Sequence, residues 1–146
     1  MMRSLRTLPQ LRKSWYMGFF QLPWLPERAL SAGVGRRFLH AAGMDSASVA
    51  RYRAEMVEGG ALTYGLNWYR AMPLADARGL GGRVTVPTTH VWSDQDAALG
   101  RLGADLTASY VVGDYRLEVL EGVDHWIPDV APQRLAEIVL ERVRSI

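Results

Sequence analysis

Two different spacings of apolar residues divide this chain. Through the first half they recur at three- and four-residue intervals, which predicts a series of amphipathic helices. Gln10–Gln21 is one such run and ends at Pro23, while Pro26 is suited to the first turn of another helix through Leu30. Arg36–Ala42 stops at Gly43, and Asp45 with Ser46 can cap the next helix, on which Val49, Tyr52 and Met56 share a face. Gly60–Met72 is a further helix, ended by Pro73. Ala75–Arg83, with Gly79, Gly81 and Gly82, has the composition of a linker.

After the linker the period changes. Val84–Ser93 is a β-rich run, followed by a helix over Ala97–Tyr110, a turn at Gly113 and Asp114, and a strand over 116–121. A loop around His125 leads to a last helix that starts near Pro132 and is expected to bury Leu135, Ile138, Val139 and Val143. Strand–helix–strand–helix at these lengths predicts parallel pairing with right-handed crossovers, the α/β class. Two parallel strands need neighbours, because such sheets are usually covered on both faces. The chain is therefore expected to be part of a larger α/β domain. Residues 1–78 would form a helical cap and 79–146 the carboxy-terminal part of the core. The open strand edge would be covered by an amino-terminal half or by a second copy.

Composition narrows the classes. The chain has 146 residues, 49% hydrophobic and 22% charged, as in a globular protein. It lacks cysteine, which excludes disulfides and thiolate metal sites and favours the cytoplasm. The three histidines are His40, His90 and His125, too dispersed for a metal cluster. Lys13 is the sole lysine among seventeen basic residues, which reflects codon bias, not nucleic-acid binding. Residues 1–44 carry seven basic groups against Glu27, a net +6; residues 45–146 carry ten against fourteen acids, a net −4. That basic third is read as a solvated helix face. The apolar run Trp15–Leu25 is interrupted by Gln21 and Pro23 and is too short to span a bilayer. Neither a membrane nor a nucleic-acid partner is expected. The glycines form no phosphate loop, and no cofactor is expected.

Candidate chemistry lies just past the strands. Asp96 follows the first and precedes Ala97, Ala98, Leu99 and Gly100; His125 follows the second, between Asp124 and Trp126. An acid and then a histidine, each past a strand end, is the order of the last two members of the α/β-hydrolase triad, whose nucleophile comes earlier. Asp96 also suits a helix cap, and Asp94 competes for the acid role. His40 and His90 lack such a context and are read as structural.

Three segments together resemble the epoxide-hydrolase branch of the α/β-hydrolases: Ser14–Pro23, Leu66–Ala71, and the Asp96/His125 pair. The resemblance runs from about residue 10 onward. It implies a partial α/β-hydrolase fold, a cap followed by the last two core strands. Tyr16 and Tyr69 would be the two cap phenols, Asp96 the acid and His125 the base, with Trp15, Phe20, Trp68 and Trp126 lining the substrate pocket. The substrate would be a small epoxide or ester. The family's aspartate nucleophile and oxyanion loop precede the cap and are not among these residues.

The chemistry explains the residue types. Carboxylate attack on an epoxide generates an alkoxide, which two phenols with pKa near ~10 can bind and protonate. The resulting ester needs water activated by imidazole, which the acid orients. From periodicity alone, either tyrosine is equally a packing residue. A serine esterase would use the same acid and base, whereas a haloalkane dehalogenase would not need the phenols. A truncated, non-catalytic remnant is the remaining alternative. The isolated chain is expected to be inactive. Two departures from the family pattern stand out: Ser93 replaces a common glycine, and Asp124 stands where a small neutral residue is usual. A carboxylate there would raise the histidine pKa if it faced the ring; pointing to solvent is the preferred expectation.

Overall fold

In the computed structural model, which describes residues 7–75 and 82–145, the chain forms two units. Among the described residues, one spans 14–75 and the other combines 7–13 with 82–145. Residues 7–13 thus go with the later unit, not with the cap to which sequence reading assigned them. Most of the expected linker, 76–81, lies outside the described residues.

The expected helix over Gln10–Gln21 is two helices, α1 (Leu8–Lys13) and α2 (Trp15–Phe19), broken at Ser14 (φ −94°, ψ 10°). α3 (Leu25–Ser31) has Pro26 in its first turn and starts behind Trp24, whose φ of 51° lies in the left-handed region. α4 (Gly33–Ala41) is followed by Gly43 at φ 100°, a conformation that favours glycine. Asp45 caps α5 (Ser46–Tyr52) by accepting the Ser48 amide at 2.7 Å. The helix then widens into a π-type turn over Arg53–Glu58, which the apolar spacing of Tyr52 and Met56 did not predict. α6 (Leu62–Ala71) leads into a 3₁₀ turn, Met72–Leu74, at Pro73.

This unit is held by Phe20, Leu62 and Leu66, against which Tyr16, Phe19, Leu30, Tyr52, Val57 and Tyr69 pack. Each buried large side chain contributes about 1.5–3 kcal/mol, and Leu39, Met44 and Val49 of the same unit are buried as well. Arg70 reinforces the cluster. It makes a forked pair with Glu27 (2.7 and 3.0 Å) and donates to the carbonyls of Phe20 (3.2 Å) and Leu22 (2.7 Å).

In the other unit, β1 (Thr88–Ser93) begins later than Val84. Pro87 cannot donate to the ladder, and Val84 keeps only an isolated bridge to Val111. α7 (Arg101–Thr107) also begins later than expected, and a 3₁₀ turn over Ala108–Tyr110 extends it. β2 (Tyr115–Leu120) pairs with β1 in parallel, from Thr88 opposite Tyr115 to Ser93 opposite Leu120. α8 (Ile127–Val130) is one turn, and α9 (Pro132–Arg144) closes the unit.

α9 differs from expectation in phase. Ile138 is 1% exposed and Leu135 half-buried, but Val139 and Val143 are 50% and 64% exposed. At the helical period positions 135, 138 and 142 fall within about 60° of one another, and 139 and 143 lie about 70° and 105° round from their centre. Arg142 takes the inward place. It donates to Thr89 Oγ1 (2.7 Å), the Thr88 carbonyl (3.3 Å) and Asp114 Oδ2 (2.5 Å), tying the helix to β1. No described helix is long and apolar enough to cross a membrane.

Candidate active site

Parallel pairing sets the carboxyl ends of β1 and β2 side by side, since Ser93 is opposite Leu120. The loops that leave these ends carry Asp96 and His125, the usual place for reactive groups in α/β sheets. His125 Nδ1 lies 3.0 Å from each carboxylate oxygen of Asp96. The Asp96 side chain is only 5% exposed, and Oδ1 also accepts the amides of Ala98 and Leu99 at 2.7 Å each. Those two bonds explain why α7 starts late: Asp96 folds 97–100 into a turn instead of capping a helix at Ala97.

Burial alone would raise the Asp96 carboxyl. The hydrogen bond to His125, the two amides and the imidazolium charge outweigh it and hold the carboxyl below its ordinary value. His125 moves up, chiefly through its hydrogen bond to Asp96, against the effect of burial and with help from the charges of Asp96 and Asp124. The ring therefore keeps a proton on Nδ1 and leaves Nε2 for proton transfer. Among the described residues only Asp96 hydrogen-bonds the ring, and Trp126 stands edge-on to it at 5.2 Å between centroids.

The neighbours have distinct tasks. Asp94 is exposed and accepts the Gly122 amide at 2.7 Å, so it fixes the turn after β2 and does not face His125. Asp124 does not simply point to solvent as preferred from sequence. It is half-buried, accepts the Trp126 amide at 2.8 Å and acts on His125 through its charge. Ser93, fully buried, donates from Oγ to the Asp124 carbonyl at 2.6 Å and fastens the histidine loop to the end of β1.

The helical unit holds a second cluster. Tyr16 and Tyr69 meet edge to face, 6.0 Å between centroids, with Phe20 5.4 and 5.0 Å from them. Arg70 creates this meeting by binding the carbonyls of Phe20 and Leu22, and Gln21 adds a bond to the Tyr69 carbonyl at 2.9 Å. Of the expected pocket aromatics, Phe20 is buried among these rings, Trp15 is 59% exposed beside Phe19 and Phe38, and Trp68 is 80% exposed. Trp126 is half-buried with its indole N–H unpartnered. No three His, Asp or Glu side chains converge as metal ligands among the described residues.

No protein-family model matches the chain. Individual proteins do. An AB hydrolase superfamily protein, YfhM of Bacillus subtilis, is 31% identical over 144 residues, covering 94% of this chain and 50% of its own. Human epoxide hydrolase 4 is 29% identical over 161 residues, covering 97% of this chain and 43% of its own. An epoxide hydrolase structure from Bacillus megaterium superposes with a TM-score of 0.77 at 22% identity, over 98% of this chain and 56% of that one. Epoxide hydrolase A from Mycobacterium thermoresistibile gives 0.74 at 21%, over 95% and 58%. The chain is an epoxide-hydrolase-like α/β-hydrolase relative. It spans about half the length of the curated relatives it matches.

In this partial α/β-hydrolase fold, one set of contacts had no signal in the sequence. Gln10, 6% exposed, donates to the Ala98 carbonyl and accepts the Gly100 amide, both at 2.8 Å. Lys13 donates to the Asp96 carbonyl. These bonds explain why residues 7–13 group with the strands. They cross more than eighty residues and involve backbone partners, so no periodicity or motif announces them.

Proposed function

We propose that this chain supplies the acid–base pair and the phenols of an epoxide hydrolase that works through a covalent ester. The Asp96–His125 contact carries this reading: a buried carboxylate orients an imidazole whose far nitrogen is left for proton transfer. A carboxylate outside these 146 residues attacks an epoxide carbon, and the carbon–oxygen bond of the ring breaks. Tyr16 or Tyr69 protonates the released oxygen. His125 Nε2 then takes a proton from water, the hydroxide attacks the ester carbonyl and the alkoxide leaves. Of the two water protons one goes to the alkoxide, giving the diol, and the other to the tyrosinate, so that carboxylate, imidazole and phenol are all regenerated.

The paired phenols favour an epoxide over an ester, since an alkoxide leaving group needs an acid and an acyl-enzyme route does not need two. Residues 14–77 act as the cap of a catalytic triad enzyme, and the nucleophile comes from an amino-terminal half. The chain alone is expected not to start the reaction, because among the described residues neither a nucleophile nor an oxyanion hole serves the pair. The absence of cysteine fits a cytoplasmic setting. Co-expression with the amino-terminal half of a related epoxide hydrolase tests the proposal. Diol formation is expected only with that partner. Turnover by the chain alone that His125→Ala abolishes, or none from a verified complex, would contradict it.

A further inference from the structure

Helix α1 carries two side chains that the proposed reaction has not used. Gln10 is buried, and its amide presents one donor and one acceptor to a matching carbonyl and N–H, Ala98 and Gly100. Lys13 covers the carbonyl of Asp96 itself. All three backbone groups belong to the five-residue loop 96–100, which is neither helix nor strand. From within, the same loop is held by the Asp96 carboxylate, through the amides of Ala98 and Leu99. From outside it is held by α1 and by the Trp92 indole of β1, which donates to the Leu99 carbonyl at 3.2 Å.

The partners found by the half-buried backbone groups of this loop set its position. Here the position matters because Nδ1 of His125 is equidistant from both carboxylate oxygens, at 3.0 Å. A displacement of the loop by a fraction of an ångström would lengthen at least one of these contacts. We infer that Gln10 and Lys13 are positioning residues, which hold the acid loop so that Asp96 stands on Nδ1 of His125. The inference rests on reading Asp96 and His125 as the catalytic acid and base. It adds that orientation of the base depends on a helix distant in sequence from both.

The test is the titration of His125 in the 146-residue chain, measured by hydrogen–deuterium exchange at the imidazole Cε1 and read by peptide mass spectrometry. This readout does not depend on turnover or association state, and His40 and His90 serve as internal references. The charged groups acting on His125 are Asp96 and Asp124. Asp96→Ala, which leaves no acceptor for Nδ1–H, defines complete loss of the pairing. Gln10→Met is expected to bring the His125 midpoint down towards the ordinary ~6.5, leaving the references in place; in Lys13→Met the lost cation by itself acts upward, so a fall there reads displacement of the acid. Lys13→Arg keeps a donor and should retain the wild-type value. An unchanged or raised midpoint in both methionine variants, with native circular dichroism, would overturn the inference. If Gln10→Met fails to fold, Lys13→Met decides alone, since its side chain is half-exposed. Unfolding of both would also overturn it, by making the contacts a requirement of folding. Because turnover is not measured, failure of the epoxide reaction and failure of the positioning role remain separate results.

Discussion

Asp96 meets His125 with both carboxylate oxygens, each 3.0 Å from the one nitrogen Nδ1. Such a contact leaves the far nitrogen free and fixes the plane of the ring, which a base needs and a merely buried histidine does not. His40 shows the contrast: its Nδ1 lies 2.9 Å from the carbonyl of Met44, four residues away, a local contact at the end of α4. The same relation sets a pH dependence with a definite sign.

His125 titrates above its ordinary value in the folded chain. Its stabilisation is fully present below the unfolded value of about 6.5 and is lost as pH rises through the folded value. Asp96 runs the other way: its folded value lies below the ordinary 3.8, so its stabilisation is present above that and lost as pH falls through the folded value. Both contributions coexist between about pH 4 and 6.5. Thermal midpoints are expected to peak in that window and decline towards alkaline pH, and His125→Gln should flatten the alkaline decline. Equal declines in the two proteins would assign the effect elsewhere.

Ser93→Ala removes a buried donor from the Asp124 carbonyl. The expected cost is about 1–2 kcal/mol, with the histidine loop loosened. Denaturant unfolding measures it, and a change under a few tenths would show that the hydroxyl is dispensable.

Arg70→Met should lower the thermal midpoint by several degrees and separate Tyr16 from Tyr69. The guanidinium alone joins Glu27 to the carbonyls of Phe20 and Leu22. Arg70→Lys should not rescue it, because an ammonium cannot reproduce the fork. Near-ultraviolet circular dichroism of the tyrosines reports the second effect; a native spectrum in Arg70→Met would remove the clamp from the account.

Tyr16→Phe and Tyr69→Phe, made in the complex with an amino-terminal half, should each slow epoxide opening on the order of 10- to 100-fold. Folding should survive, as both rings are kept. The double variant should be close to inactive. Unchanged single-turnover rates in both single variants would reduce these residues to packing.

Short-range features were legible in the sequence. The Asp45 cap, Pro26 in a first turn, Gly43 after α4 and the parallel strands all follow from local chemistry or period, and so did the order of Asp96 and His125. The phase of α9 was misread because four apolar residues span more than one face, and Arg142 found three partners on the inward line. Pro87 shortened β1, a constraint that the apolar run concealed. The task of Gln10 was invisible because its partners are backbone groups about ninety residues away.

The central claim is that His125, oriented by Asp96, hydrolyses a covalent ester formed by another part of the enzyme. Intact-mass measurement on the complex of this chain, as His125→Gln, with an amino-terminal half tests it most directly. After addition of an epoxide, that half is expected to gain the mass of one substrate and keep it, while turnover stops after about one equivalent. Continued diol release at the wild-type rate, or no adduct while substrate still binds, would contradict the claim.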